Sequence, residues 1–132
     1  MNILVTGAGG QLGKAIRKVS ENYGHKCLFT DLRPDGDVMA LDITDAAALG
    51  YMLDAHDIDV VVNCAAYTDV EKAESDASEA YRINAHAAGV IAMEVARRNL
   101  ALIHISTDYV FDGHSNVPYA ENALPGPLNV YA

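Results

Sequence analysis

The sequence has few cysteines, few basic residues and no long apolar run. Its two cysteines, Cys27 and Cys64, are too few for a disulfide framework. Nine lysines and arginines against 18 aspartates and glutamates give a formal net charge of −9, which disfavours nucleic acid and anionic lipid because both bind basic surfaces. No apolar run approaches the roughly 18 residues that cross a bilayer, and no basic leader precedes the opening "MNILVTG". We therefore predict a reduced, cytoplasmic protein without nucleic-acid or membrane partners.

Short apolar segments alternate with helical patterns along the chain. The β-branched and apolar runs predict strands at residues 3–5, 27–29, 38–41, 60–62 and 102–105. Apolar residues spaced by three and four predict helices at 11–22, 45–55 and 76–98. Strands that are apolar throughout and alternate with helices indicate a parallel sheet covered on both faces. We therefore predict one domain over residues 1–132, with a doubly wound, Rossmann-like α/β fold.

After the last predicted strand this pattern ends. Residues 112–132 contain three of the four prolines, and long patternless loops in compact domains are usually functional or disordered. The five histidines show no metal-ligand spacing, so we predict no metal site.

A glycine-rich turn follows the first predicted strand. In "TGAGGQLG", residues 6–13, the glycines at 7, 10 and 13 form the pattern G-x-x-G-x-x-G. Gly7 permits a tight turn, Gly10 lets the backbone approach a pyrophosphate, and Gly13 lets the helix lie close to the sheet. The anion would then meet the unpaired N–H groups at the start of the first helix. A purely structural turn is the alternative, but its place between the first strand and the first helix favours a dinucleotide site.

Charged residues at the next two strand ends bear on the adenosine half of such a ligand. Asp31 ends the second strand, where a carboxylate can accept hydrogen bonds from a ribose, which favours NAD. Arg33 lies two residues on and could instead face the 2′-phosphate of NADP, so the preference stays open. Asp42 and Ile43 follow the third strand and could hold adenine; alternatively, Asp42 or Thr44 caps the next helix.

The fourth and fifth predicted strands run into "NCAAYTDVEKAE", residues 63–74, and "HISTDYVFDG", residues 104–113. Ligands of open α/β sheets bind outside the carboxyl ends of the strands, so both segments should face the cofactor. The small residues Ala65 and Ala66 would let a cofactor lie flat against the backbone, although plain helix packing accounts for them equally well.

These segments, with "PYAEN" and "PLNVYA" near the C-terminus, resemble the extended short-chain dehydrogenase/reductase superfamily, and within it the dTDP-4-dehydrorhamnose reductases. The resemblance covers the whole chain; "GQLG" and "STDYVFDG" are its specific parts. It implies reduction of the 4-keto group of dTDP-4-dehydro-L-rhamnose by NADPH or NADH, giving dTDP-L-rhamnose. Members of the family are longer and carry a C-terminal substrate domain, so the resemblance implies a truncated Rossmann-like domain here.

The resemblance also implies a set of site residues. It assigns the cofactor pyrophosphate to Gly10, Gln11 and Leu12, the adenosine ribose to Asp31, the adenine to Asp42 and Ile43, and the middle of the cofactor to Ala65, Ala66 and Tyr67. It places Thr107 beside the reacting carbonyl with Asp108 nearby, and it makes Tyr131 the tyrosine of the Y-x-x-x-K motif. The resemblance implies that Asn84, on the apolar stripe of the longest helix, braces the active-site loop. The alternative is a merely structural role, because a buried amide must be hydrogen-bonded in any case.

The chemistry of a ketone reduction agrees with these assignments. Hydride delivery leaves an alkoxide that needs a proton, and a tyrosine hydroxyl is protonated at neutral pH and can donate it. The hydroxyl of Thr107 can donate to the same developing oxyanion. The motif's lysine would fall beyond Ala132, so we expect residues 1–132 to bind a dinucleotide weakly and not to reduce the sugar. Uncovered sheet is expected to favour self-association into oligomers.

Two other functions remain open from the sequence. The first is a non-catalytic NAD(P)-binding module that regulates another enzyme. The second is a sugar-nucleotide epimerase or dehydratase of the same superfamily, which we rank last because those proteins typically lack "GQLG" and "STDYVFDG".

Overall fold

The computed structural model describes residues 1–132 and contains one sheet of five parallel strands. The strands are β1 (Asn2–Thr6), β2 (Lys26–Asp31), β3 (Met39–Ala40), β4 (Val60–Asn63) and β5 (Ala101–His104). Their order is β3-β2-β1-β4-β5, so the chain builds outward from β1 in one direction and then crosses to the other side. This is the doubly wound α/β arrangement, and the predicted Rossmann-like fold class is confirmed.

The central strand is buried on both faces because helices cover each side. Leu4 of β1 packs with Val61 of β4 in the larger cluster, which α2 (Ala46–Ala55) and α5 (Ala87–Arg97) complete. Val5 faces the other way and packs with Phe29 in the smaller cluster. Continuously apolar strands are what such two-sided burial requires.

Helix α1 (Gln11–Ser20) and helix α2 begin close to their predicted starts. The N-cap of α2 is Asp45, whose carboxylate accepts hydrogen bonds from the N–H groups of Ala47 and Ala48, both at 3.0 Å. The alternative that Asp42 or Thr44 caps this helix is therefore wrong, and the carboxylate of Asp42 is available for another use.

The long helix predicted over residues 76–98 is present but not uniform. It consists of α4 (Ala77–Tyr81), a π-helical turn (Arg82–His86) and α5, and the short helix α3 (Val70–Ala73) precedes it. The apolar spacing does not reveal the π turn, because apolar residues spaced by three and four continue through it at positions 80, 83, 87, 91 and 95. Such turns often occur at functional sites, and this one carries Asn84.

One face of the sheet is covered only in part. The register aligns Val5, Val62 and Ile103 across β1, β4 and β5, and α1 packs through Ile16 over the β1 side. At the β5 side, Ile103 is 53% exposed and Ile105 is 46% exposed. This matches the predicted uncovered apolar surface, while self-association stays a prediction. None of the helices has both the length and the apolar character needed to cross a bilayer.

Candidate functional site

A crevice of about 780 Å³ opens above the carboxyl ends of the strands. The turn after β1 and the turn after β4 form its centre, which is the point where the strand order reverses. Ligands of doubly wound sheets bind at this switch point because the two loops there diverge and leave a gap. The position of the crevice therefore follows from the topology.

The glycine turn shapes the floor of the crevice. Gly7 has φ +66°, and a Cβ at this position would lie 2.5 Å from the backbone nitrogen of Ala65. A Cβ on Gly13 would lie 2.4 Å from the carbonyl oxygen of Gly7. The N-cap of α1 is Gly10, which offers no side-chain cap, so the first N–H groups of α1 have no intrahelical partner. They form a neutral cradle with a positive electrostatic potential, which fits a pyrophosphate.

Asp31 lies at the end of β2 beside this turn. Its Oδ2 accepts from the N–H of Gly9 at 2.9 Å, and its Oδ1 accepts from the N–H of Arg33 at 3.2 Å. Each carboxylate oxygen accepts only one hydrogen bond here, so lone pairs remain for ribose hydroxyls. The side chain of Arg33 is exposed and lies outside the crevice lining.

Asp42 and Ile43 form another part of the wall. Oδ1 of Asp42 accepts from the N–H of Thr44 at 2.9 Å and from its hydroxyl at 2.7 Å. The backbone hydrogen bond from Thr44, followed by that from its side chain, lowers the pKa of Asp42. Arg82 also lies in this wall; sequence reasoning missed it, and its only signal is a cation two residues before Asn84 on the same helix.

A polar row lies beneath the centre of the crevice. Thr6, Asn63 and His104 are register partners on β1, β4 and β5. Oδ1 of Asn63 accepts from the hydroxyl of Thr6 at 2.5 Å and from the N–H of Ala65 at 3.3 Å. The Asn63 Nδ2 must then donate to Nδ1 of His104, 3.0 Å away, so the neutral His104 ring carries its proton on Nε2. Sequence reasoning missed this row. Its signal was Asn63, the one polar residue at the end of the otherwise apolar β4.

Thr107 and Tyr131 both line the crevice, although 24 residues separate them. The hydroxyl oxygen of Thr107 accepts from the N–H of Tyr109 at 3.2 Å. The ring of Tyr131 makes an edge-to-face contact with Tyr109, with centroids 6.1 Å apart. The loop after β5 therefore returns the end of the chain to the crevice, although the Thr107 hydroxyl also makes the local backbone bond expected of a structural role.

Two side chains hold the segment that carries Tyr131. Nδ2 of Asn84 donates to the carbonyl oxygen of Tyr131 at 3.2 Å, and Oε1 of Glu74 accepts from the N–H of Val130 at 2.9 Å. The same Asn84 amide accepts from the N–H of Tyr67 at 2.8 Å and donates to its carbonyl oxygen at 3.0 Å. One amide thus joins the loop after β4 to the end of the chain.

The structure brings most of the predicted site residues together and leaves three out. Those in the lining are Gly7, Gly10, Gln11, Leu12, Asp31, Asp42, Ile43, Ala65, Ala66, Thr107 and Tyr131. Arg33, Tyr67 and Asp108 lie outside the lining. The role of each residue stays a prediction. Cys64 also lines the crevice, where burial raises the pKa of its thiol. No group of three His, Cys, Asp or Glu side chains is arranged to hold a metal ion.

The strand order, the glycine turn at the switch point and the crevice above it define a doubly wound, Rossmann-like α/β protein with a ligand site of the dinucleotide-binding type. A family model described as the RmlD substrate binding domain matches residues 1–132. The chain belongs to this family, and the predicted resemblance to the dTDP-4-dehydrorhamnose reductases is confirmed.

Individual relatives agree with this membership. A dTDP-4-dehydrorhamnose reductase of Aggregatibacter actinomycetemcomitans is 38% identical over 98% of this chain and 42% of its own length. The crystal structure of a dTDP-4-dehydrorhamnose reductase from Clostridium acetobutylicum matches with a TM-score of 0.89 and 37% identity, over 99% of this chain and 45% of that one. The Bacillus anthracis reductase, solved in complex with NADP, matches with a TM-score of 0.85 and 34% identity, over 98% and 44%.

The chain therefore spans less than half the length of these relatives. The same region also matches a protein with a different name: the methionine adenosyltransferase 2 subunit beta of Pongo abelii is 38% identical over 98% of this chain and 39% of its own length. Similarity at this level is thus compatible with more than one function.

Proposed function

We propose that residues 1–132 form the cofactor-binding part of a reductase that uses NADPH or NADH to convert dTDP-4-dehydro-L-rhamnose into dTDP-L-rhamnose. The observation that carries this proposal is that Thr107 and Tyr131 line the same crevice as the glycine turn. A ketone reduction needs one group that donates a proton to the ketone oxygen and another that stabilises its developing negative charge, and two hydroxyl groups can fill these roles.

The residues present fit a nicotinamide dinucleotide. The uncapped start of α1 would hold the pyrophosphate, because Gly10 adds no side chain there. The carboxylate of Asp31 would accept from the adenosine ribose, and that of Asp42 would accept from the adenine. When bound, the cofactor supplies the hydride that the ketone accepts.

The chain's own residues would handle the proton and the oxygen of the substrate. Tyr131 would donate its phenolic proton to the ketone oxygen as that oxygen gains negative charge. Thr107 would hydrogen-bond to the same oxygen and so stabilise the charge. Two side chains would hold Tyr131 in place: Asn84 donates to the carbonyl oxygen of Tyr131, and Glu74 accepts from the N–H of the preceding residue, Val130.

The proposal is tested by titrating the chain with NADH and NADPH and following nicotinamide fluorescence. We expect a saturable increase, because the cradle and both carboxylates are already formed. Failure of both reduced cofactors to bind at millimolar concentration would refute the proposal.

A second candidate is a non-catalytic dinucleotide-binding module that regulates another enzyme. It is supported by the similarity to a relative named as an adenosyltransferase subunit. Both candidates require cofactor binding, so titration alone does not separate them. Binding of the keto-sugar nucleotide, and its reduction by a protein that contains these residues, would favour the reductase.

The cofactor preference is expected to depend on Asp31. We expect tighter binding of NADH than of NADPH, because the carboxylate would repel a 2′-phosphate and the side chain of Arg33 lies outside the crevice lining. In Asp31→Asn the side-chain oxygen can still accept from Gly9. The affinity ratio of NADH to NADPH should fall by about tenfold, as expected for removing one nearby charge.

Fluorescence titration of both cofactors measures this ratio. Asp35→Asn is the matched control, since Asp35 is exposed, lies four residues away and is outside the crevice lining; it should leave the ratio unchanged. An unaltered ratio in Asp31→Asn would show that Asp31 does not face the ribose.

A further inference from the structure

Three hydrogen bonds hold Arg82 in the wall of the crevice. It belongs to the π turn, and its side chain is 40% exposed. Nε and Nη2 donate to the two carboxylate oxygens of Glu79 at 2.8 and 2.7 Å. Nη1 donates to the hydroxyl oxygen of Thr44 at 2.9 Å. All three nitrogens are engaged, so this guanidinium has one orientation, and planar two-point pairing of this kind fixes geometry.

The contact with Arg82 decides where the hydroxyl proton of Thr44 points. A guanidinium has no acceptor, so the Thr44 oxygen must accept from Arg82. The hydroxyl then donates its single proton to Oδ1 of Asp42, which lies 2.7 Å away. Because the N–H of Thr44 also donates to this oxygen at 2.9 Å, Oδ1 is saturated.

The second oxygen of Asp42 makes no hydrogen bond within the chain. Oδ2 lies 3.8 Å from Nη1 of Arg82, which is an ion pair but too long for a hydrogen bond. The Asp42 side chain is 42% exposed, and Leu41, Ile43 and Ile83 line the crevice around it. A flat apolar group that carries a donor at its edge would suit this place.

The hydrogen bonds from Thr44 and the charge of Arg82 keep Asp42 an acceptor. The hydrogen bonds from Thr44 lower its pKa most, and the charge of Arg82 adds to them. The carboxylate is therefore ionised at neutral pH and has no proton to donate. It can accept from an amino group and repels a carbonyl oxygen.

We propose that Arg82, acting through Thr44, is a positioning residue that makes Asp42 select adenine over a base with an oxo group in place of the amino group. This inference deepens the proposed dinucleotide function and rests on it. Arg82 would not touch the base; it would fix the hydroxyl of Thr44, which together with the N–H of Thr44 holds Oδ1 of Asp42 and leaves Oδ2 for the ligand.

The test compares NADH with its hypoxanthine analogue, reduced nicotinamide hypoxanthine dinucleotide, by fluorescence titration. Wild type should prefer NADH by about tenfold, as expected for one hydrogen bond to a charged group. Arg82→Met should reduce this preference to about twofold, since Thr44 is then free to rotate its proton away. Thr44→Val should do the same, while Arg82→Lys should retain most of the preference.

Arg97→Met is the matched control, because Arg97 is 68% exposed and pairs with Glu94 on α5, outside the crevice lining. It should leave the preference at its wild-type value. If Arg82→Met weakens both dinucleotides equally, Arg82 is merely structural and the inference is wrong. If wild type binds neither dinucleotide, the proposed function is wrong, and the inference that rests on it is wrong as well.

Discussion

Replacing Gly13 by alanine is expected to abolish detectable dinucleotide binding and to destabilise the fold. The new Cβ would lie 2.4 Å from the carbonyl oxygen of Gly7 and 2.5 Å from Cα of Ala8. Both are backbone atoms of the turn itself, so α1 must move away from the cradle or the cradle must open. Overpacking against backbone of this kind costs about 3 kcal/mol in free energy of unfolding. Urea unfolding and NADH titration measure the two effects.

Gly89→Ala is the matched control, because Gly89 is also a helical glycine and nothing lies within 4 Å of the position that its Cβ would take. Alanine should stabilise α5 here by about 1 kcal/mol, the ordinary gain in helix propensity. The two substitutions are chemically identical, but Gly13→Ala should lower the free energy of unfolding and Gly89→Ala should raise it. A Gly13→Ala protein that is as stable as wild type and still binds NADH would contradict the close approach of α1 to the turn.

The glycine turn could be predicted from sequence because it is local. The strand, the three glycines and the helix follow one another within residues 2–20, and their physical roles depend on neighbours in the chain. The contact of Gly7 with Ala65 was not predicted, because it joins the turn after β1 to the turn after β4. Parallel pairing of β1 with β4 brings these turns together, and spacing along the chain does not encode that.

The adenosine end of the crevice shows the limit of such reasoning more clearly. The sequence leaves Arg33, two residues from Asp31, open as a cation for a 2′-phosphate; its side chain lies outside the lining, and its role stays a prediction. The cation that does line the crevice is Arg82, forty residues after Asp42. It reaches Thr44 from the π turn. A helical pattern predicts which side of a helix is apolar but not where a turn widens, so the sequence does not show that Arg82 reaches the segment after β3.

The edge strand differs from its prediction for a related reason. The run at 38–41 predicts four residues, but β3 contains only Met39 and Ala40, after which the N–H of Leu41 makes one more bond to β2, to the carbonyl oxygen of Asp31 at 2.9 Å. An edge strand has one neighbour, and the segment that follows this one carries Asp42 and Thr44 to Arg82. Side-chain hydrogen bonds of this kind compete with strand pairing. The departure thus occurs where the candidate site begins.

Replacing Asn84 by alanine is expected to release both segments that its amide joins. The N–H and the carbonyl oxygen of Tyr67 and the carbonyl oxygen of Tyr131 would each lose their partner. Partly buried groups left unpaired cost about 2 kcal/mol together, so the free energy of unfolding should fall by that amount. Hydrogen exchange at the N–H of Tyr67 should become faster, and the edge-to-face contact of Tyr131 with Tyr109 should weaken.

Asn22→Ala provides the comparison, since the side chain of Asn22 is exposed and makes only one bond of 3.4 Å, to the carbonyl oxygen of Val19. It should change the free energy of unfolding by less than about 0.5 kcal/mol. Because Asn84 lies in the π turn and reaches two loops, its effect should appear at Tyr67 and at Val130 in the same experiment. Faster exchange at Tyr67 with none at Val130 would mean that Glu74 alone holds the end of the chain, and that Asn84 does not position Tyr131.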